Sequence, residues 1–189
     1  MFTKLSNWFL KISTWPLTLA CLILFLVFST LFLPIHNATA AVYAGELGTP
    51  DTSFYYTSAK LYQMADGYGS LGRAAYIRAR FAFDIIWPLV YLAFLVMGIS
   101  WMAKRSKINL RICGRLNLLP IIGVIFDFLE NGSAVVVMAR YPKTTPVFDV
   151  LSGIFTTLKW IFMAASVIIL FFLAIFTLIK FIHSRQQPR

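Results

Sequence analysis

Residues 116–139 read LNLLPIIGVIFDFLENGSAVVVMA. The stretch is long and apolar enough to cross a bilayer, yet its interior holds Asp127, Glu130 and Asn131. A carboxylate at mid-membrane depth costs about 2.5–3.5 kcal/mol, so such groups usually face protein or trapped water rather than lipid. On a helix these three residues share one face, because they are spaced three and four positions apart. The stretch therefore predicts a membrane-spanning helix with a polar pocket on one side.

The composition of the whole chain agrees with a membrane protein. Of its 189 residues, 59% are hydrophobic and only 13% are charged, which is far outside the usual range for a soluble domain. The net charge is +10, but the basic residues flank apolar runs, where the excess of Lys and Arg in cytoplasmic loops explains them. We therefore expect no nucleic acid partner, and we expect an integral protein of a bacterial inner membrane.

Three further apolar runs complete a predicted all-α fold, a bundle of four transmembrane helices. The first run, residues 16–35, precedes an Ala-x-Ala pattern at residues 38–40. Residues 1–35 are therefore either an uncleaved signal anchor, which we expect, or a cleaved signal peptide. The other spans are predicted at the ranges 81–103, 116–139 and 150–179, which make residues 81–189 a three-helix transmembrane core.

Residues 36–80 are predicted to form the extracytoplasmic segment. Thr52 and Ser53 offer a helix N-cap, so we expect a short amphipathic surface helix over residues 53–65. This helix either rests on the bilayer surface or covers the polar pocket as a lid.

The second span carries its polar residues on one stripe. Arg80 and Asp84 are spaced as an i, i+4 ion pair, and Pro88 predicts a kink nearby. Arg73 and Arg80 are candidates for contact with an anionic lipid headgroup. The stripe consists of Arg73, Tyr76, Arg80, Asp84, Pro88 and Tyr91.

The distribution of charge predicts that both termini are cytoplasmic. The segments assigned to the cytoplasm hold no Asp or Glu, and all seven acids fall outside or within the spans. Basic residues mark the inner side strongly, as membrane insertion favours. They are Lys4, Lys11, Lys104, Arg105, Lys107, Arg111, Arg115, Lys180, Arg185 and Arg189.

The candidate site is a pocket in the outer half of the bundle. When each span is measured from its inner basic anchor, Asp127 and Glu130 lie deeper than Asp84 and Lys159, as in a funnel that opens outward. Asp127 and Glu130 cannot both ionise cheaply in a low dielectric unless Lys159 or an arginine compensates. The alternative is that these groups only fix how the helices pack. The predicted pocket residues are Asp84, Tyr91, Asp127, Glu130, Asn131 and Lys159.

Several chemistries lack their required residues. Cys21 and Cys113 form no CxxC pair, and His36 and His183 map to opposite sides of the membrane, so neither a thiol redox site nor a histidine metal site is expected. We predict no metal and no cofactor. The leading function is binding of a membrane lipid or another amphipathic molecule, with catalysis by the carboxylates left open. The alternatives are a non-catalytic accessory subunit with a membrane partner, and a proton- or ion-coupled transporter built as a homo-oligomer.

Overall fold

The computed structural model describes residues 1–106 and 115–186. Every regular element in these ranges is helical, and four segments are long and apolar enough to cross a membrane. These segments are Trp15–Leu47, Gly69–Ser106, Leu116–Arg140 and Pro146–His183. The prediction of an all-α chain with four membrane-spanning segments is thereby confirmed. The cytoplasmic assignments of Lys107, Arg111 and Arg189 lie outside the described residues, as does Cys113.

The described ranges contain eight α-helices, which are numbered in chain order. Those of the first half are α1 Phe2–Ile12, α2 Trp15–Val27, α3 Leu33–Ala44 and α4 Ser58–Gly67. Those that follow are α5 Gly69–Arg80, α6 Phe83–Ser106, α7 Leu119–Arg140 and α8 Pro146–Gln186.

The first span is longer than the predicted range of residues 16–35. A π-helical turn at Phe28–Phe32 joins α2 to α3, so the helical path continues without a break to Ala44. Pro34 is the second residue of α3 and directly follows the π-helical turn, to which its ring has no N–H to donate. The helix ends at Gly45, whose φ of 52° suits a residue without a Cβ. The Ala-x-Ala pattern at residues 38–40 consequently lies inside α3.

The helix predicted over residues 53–65 begins later, at Ser58. Thr57 is its N-cap, and the Thr57 side chain accepts a hydrogen bond of 3.2 Å from the Lys60 N–H. Residues Ser53–Tyr56, referred to below as the strap, are not helical, because the Ser53 and Phe54 carbonyls accept hydrogen bonds from side chains of α8. The prediction placed the N-cap too early, since Thr52 and Thr57 are equally suitable by residue type.

The second span is interrupted where the sequence predicted a continuous helix. α5 and α6 are separated by a turn at Phe81 and Ala82, whose N–H groups bond to the carbonyls of Arg78 and Ala79 at 3.2 and 3.1 Å. Pro88 remains inside α6. Its ring crowds the carbonyl four residues earlier, at Asp84, so a distortion on the N-terminal side of α6 is expected.

The chain divides into two compact units. Unit 1 consists of Met1–Phe25, Val90–Ile122 and Phe162–Arg189. Its apolar core contains Leu10, Ile99, Ala103 and Leu173. A buried polar contact adds to this core, because Asn117 exchanges hydrogen bonds with Ser6 and donates one of 2.9 Å to Ser100.

Unit 2 consists of Leu26–Leu89 and Gly123–Ile161. The helix α4 contributes Leu61, Met64 and Ala65 to its core, all fully or almost fully buried. They pack in one cluster with Tyr76 of α5 and with residues of α7, among them Val137. This packing anchors the segment that precedes the second span, which also carries the strap.

Candidate functional site: a buried polar cluster in unit 2

Lys159 of α8 meets both carboxylates that the 116–139 stretch carries. Its ammonium lies 2.5 Å from Glu130 Oε2 and 3.5 Å from Asp127 Oδ1. Asp127 and Glu130 are one turn apart on α7, so a single cation from α8 can reach both. Glu130 is fully buried and Lys159 nearly so. The three groups are therefore shielded from solvent, and each depends on the others for charge compensation.

Arg80, the last residue of α5, is the second buried cation. Its Nη1 donates to Asn131 Oδ1 at 3.0 Å, and its Nε lies 3.3 Å from Asp84 Oδ2. Its Nη2 forms an ion pair with Asp51. The planar guanidinium suits this arrangement, since it presents donors in a fixed fork that one ammonium could not reproduce. The predicted Arg80–Asp84 pair thus forms, with two additional partners.

Asn131 connects the two ion-paired groups. Its amide nitrogen lies 3.5 Å from Asp127 Oδ1, while its Oδ1 accepts the bond from Arg80. The geometry that the sequence predicted for Asp127, Glu130 and Asn131 on one helical face therefore brings them into a single network.

The strap closes part of this network with a tyrosine. The Tyr56 hydroxyl donates to Glu130 Oε1 at 3.1 Å and lies 2.5 Å from Ser152 Oγ. Tyr56 is only 3% exposed. Because its hydroxyl has two partners, burying it leaves no polar group unsatisfied.

Hydrogen bonds from α8 fix the strap backbone. The Ser53 carbonyl accepts from Trp160 Nε1 at 3.0 Å and from the Thr156 hydroxyl at 3.3 Å. The Phe54 carbonyl accepts from the Thr157 hydroxyl at 3.3 Å. Gly153 allows the close approach, since a Cβ there would collide with the Tyr56 carbonyl.

The cluster is most accessible near Asp51 and His36. The Asp51 side chain is 26% exposed, whereas that of Arg80 is 2% exposed. His36 Nε2 lies 3.7 Å from Asp84 Oδ1, and the imidazole stacks on Phe83. Burial alone would raise the pKa of Asp51, but the Arg80 guanidinium outweighs burial and lowers this pKa below its ordinary value.

These contacts define the polar cluster, which draws on five helices of unit 2 and on the segment between α3 and α4. It contains four carboxylates but only two permanently charged cations, and it also contains one imidazole. Its members are His36, Asp51, Tyr56, Arg80, Asp84, Asp127, Glu130, Asn131, Ser152 and Lys159.

Arg73 makes its contacts outside the cluster. It donates to the Ala65 carbonyl at 2.7 Å and lies over the Tyr141 ring, with 4.8 Å to its centroid. Tyr91 is buried and falls in the sequence range of unit 1, and its place in the pocket stays a prediction. The other predicted pocket residues and Arg80 all belong to the cluster.

Sequence reasoning missed His36, Asp51, Tyr56 and Ser152. His36 lies in the first span, and Asp51 and Tyr56 lie in the segment that follows it, so no helical period relates any of them to the acids of α7. An indirect signal was available for Asp51. Arg80 had one acid, Asp84, at helical spacing, and a buried guanidinium usually has more than one partner.

No protein-family model, curated protein or solved structure matches this chain. The function is therefore argued from the cluster alone. Its side chains can donate and accept hydrogen bonds, hold protons and compensate a positive group. In residues 1–106 and 115–186, no group of three or more His, Cys, Asp or Glu has an arrangement that could hold a metal ion.

Proposed function

We propose that the protein binds the polar head of an amphipathic molecule, a membrane lipid being the leading class, at the polar cluster. The observation that carries the proposal is the excess of acid. Asp51, Asp84, Asp127 and Glu130 face two permanent cations, Arg80 and Lys159. Buried charges without compensation are expensive, so this composition favours a visiting group that brings positive charge or hydrogen-bond donors.

The excess of carboxylates over cations also indicates the chemistry of the head that would bind. Arg80 and Lys159 already contact carboxylates, so they have little capacity left for an anionic headgroup. A head that carries an amine or several hydroxyl groups would instead donate to the carboxylates. The amphipathic class follows from the setting, because Asp84, Asp127, Glu130 and Lys159 lie within segments that are long and apolar enough to span a membrane.

The strap supplies a means of entry. It covers the Glu130 side of the cluster through Tyr56, and its hydrogen bonds to α8 come from side chains rather than from a regular backbone ladder. Such a segment can move without unfolding a helix. We infer that the strap moves aside when a head enters, and that Ser152 and Glu130 then exchange the Tyr56 hydroxyl for groups of the ligand.

Thermal unfolding in mild detergent tests the proposal. Three amphiphiles, each with one acyl chain, are compared: one has an amine head, one a polyhydroxyl head and one a phosphate head. Each is added to the parent protein and to the Asp127→Asn and Glu130→Gln variants. The amine or polyhydroxyl head should raise the parent's Tm and leave the variants' Tm unchanged. Asp66→Asn is the matched control, because Asp66 is an exposed acid of unit 2 whose carboxylate accepts from the Tyr141 hydroxyl.

Equal shifts for all heads, or equal shifts in parent and variants, would contradict the proposal. Mass spectrometry of the purified protein adds a second readout. A co-purifying lipid that is lost in Glu130→Gln supports binding at the cluster. A stoichiometric protein partner that is lost in the same variant would favour the accessory-subunit alternative instead.

Proton-coupled transport is the second candidate. It is favoured because the polar contacts of the cluster form a continuous chain. This chain begins at the partly exposed Asp51 and ends at the buried Glu130, and its intermediate members are Arg80, Asn131, Asp127 and Lys159. Protons can neutralise the excess carboxylates as well as a ligand can. Proteoliposomes with an internal pH dye test this candidate. Proton uptake driven by a membrane potential should require Glu130, and its absence in the parent would exclude this function.

A further inference from the structure

A basic cleft lies in unit 1. It has a volume of about 320 Å³ and is lined by Ser13, Thr14, Trp15, Trp101, Lys104 and Arg105. The first three residues form the junction between α1 and α2, and the others belong to the last turns of α6. The volume is at the lower end of the range for small-molecule sites, enough for a headgroup rather than a whole lipid.

The charge of the cleft is entirely positive. The Lys104 ammonium donates to the Ser13 carbonyl at 2.5 Å, which holds it at the cleft wall. The Arg105 guanidinium lies over the Trp101 ring, 5.4 Å from its centroid. Both side chains are exposed. Two cations held side by side, each by a neutral contact, are available to an anion.

No acid in unit 1 competes for these cations. All seven Asp and Glu residues of the chain fall in the sequence ranges of unit 2. Unit 1 contains ten of the 17 Lys and Arg residues and therefore carries the whole net charge of +10. Within unit 1, the charged side chains around an anion at the cleft are therefore all positive. They add long-range attraction to its contacts with Lys104 and Arg105.

The aromatic residues indicate an anion that carries acyl chains. Trp15 and Trp101 stand with their ring centroids 5.6 Å apart, and Trp15 is 56% exposed. Tryptophan is enriched at the level of lipid headgroups, with its ring toward the acyl chains. The adjoining α2 exposes apolar side chains, including Leu17 and Leu24, along which acyl chains can lie.

We propose that this cleft binds the phosphate of an anionic phospholipid. Lys104 and Arg105 contact the phosphate, the Trp15 and Trp101 rings flank the glycerol region, and the acyl chains follow α2. The chemistry shared with a soluble ligand is the phosphate itself. The aromatic wall and the apolar helix favour the lipid as its source.

Lipid binding to the delipidated full-length protein in detergent tests the site. Dissociation constants for phosphatidylglycerol are measured by native mass spectrometry for the parent and for Arg105→Gln. Arg105 is chosen because its contact within the described residues is the Trp101 ring, so the Lys104–Ser13 bond is retained. Lys11→Gln is the control, since Lys11 is exposed in the same unit and does not line the cleft.

We expect Arg105→Gln to weaken phosphatidylglycerol binding about fivefold, the loss typical of one basic residue at an anionic surface. Lys11→Gln should weaken it less than twofold, and the parent should bind phosphatidylcholine more weakly than phosphatidylglycerol, because the choline cation offsets the phosphate charge. Equal losses in the two variants would mean general surface attraction and would overturn the site. Competition by inorganic phosphate at the lipid's own concentration would assign the cleft to a soluble anion and overturn the lipid proposal.

A folding defect in Arg105→Gln is separated from a binding defect by its Tm. Lys104→Gln serves as the second variant and should lose at least as much affinity, because Lys104 supplies the neighbouring cation. Quenching of tryptophan fluorescence by brominated phosphatidylglycerol gives an independent readout. It should fall in a Trp15→Phe variant, and unchanged quenching there would contradict the proposed position of the acyl chains.

Discussion

The Lys159 ammonium lies 2.5 Å from Glu130 Oε2, and both side chains are almost completely buried. The two partners are nevertheless not equivalent. Glu130 is one of four carboxylates in the polar cluster, whereas Lys159 is one of only two permanent cations. Replacing Lys159 should therefore change the stability of the protein differently from replacing Glu130.

Removing the cation should be far more damaging than removing the acid. Lys159→Met leaves Asp127 and Glu130 close together without their counter-charge, and we expect a loss of about 3–5 kcal/mol in the free energy of unfolding. Glu130→Gln retains an acceptor for the Tyr56 hydroxyl and relieves the acid excess, so it should be neutral or stabilising. Unfolding in detergent measures both. Equal losses would mean that the pair acts as a simple structural ion pair.

The contact between Gly153 and the strap predicts a second effect. In Gly153→Ala the new Cβ meets the Tyr56 carbonyl, and we expect a loss of about 1–3 kcal/mol together with displacement of the strap. Chymotrypsin should then cut at Phe54, Tyr55 or Tyr56 faster than in the parent. Gly132→Ala is the control, because a Cβ at Gly132 meets no atom within 4 Å. Equal cleavage in the two variants would contradict the role of Gly153.

The pairing of Asp51 with Arg80 predicts a dependence on pH. Asp51 lies outside the spans, and its pKa is lowered from the ordinary value of 3.8, with Arg80 outweighing burial. A lowered pKa stabilises the folded protein above the unfolded-state value, and this contribution disappears as the pH falls through the folded-state value. The difference in Tm between the parent and Asp51→Asn should therefore shrink below about pH 4. A difference that stays constant down to pH 2 would show that folding does not lower the pKa of Asp51.

The buried contact of Asn117 predicts how firmly α1 is attached in unit 1. Asn117→Ala removes the partners of the Ser6 and Ser100 side chains, and we expect a loss of about 1–3 kcal/mol. The first residues should also become accessible to proteases. Asn7→Ala provides the comparison, because Asn7 is exposed on α1. If both substitutions have the same small effect, the hydrogen bonds of Asn117 do not hold α1.

The orientation in the membrane remains a prediction from charge and can be tested by labelling. A single cysteine replaces Ser70 or Arg115, both of which are exposed, in a chain whose native cysteines are serines. A membrane-impermeant maleimide added outside intact cells should modify the cysteine at position 70 and miss the one at position 115. The reverse pattern would place both termini outside.

The sequence predicted those features of the structure that depend on residues close together in the chain. Hydropathy located all four spans, because about twenty apolar residues have few alternatives to crossing a bilayer. Helical spacing also related Asp127 to Asn131, since residues four apart on one helix are neighbours whatever surrounds them. The pair that helical spacing suggested between Arg80 and Asp84 forms as well, although the two residues lie on either side of the turn between α5 and α6.

Hydropathy and helical spacing could not predict contacts between segments that are distant in the sequence. Nothing in the sequence near Tyr56 indicates that it reaches Glu130, 74 positions away. The strap is not helical because the Ser53 and Phe54 carbonyls bond to α8, so its conformation depends on tertiary partners rather than on local propensity. The break between α5 and α6 was missed for a related reason, because Pro88 indicated a distortion without fixing the turn in which it occurs.

The dependence of Asp127 and Glu130 on Lys159 also constrains how the protein is synthesised. During translation α7 leaves the ribosome before α8, so both carboxylates reach the membrane while their counter-charge is still inside the ribosome. Each would then cost about 2.5–3.5 kcal/mol at mid-membrane depth. A nascent chain released just before Lys159 should therefore insert its third span poorly, whereas a chain that includes α8 should insert the two helices as a pair.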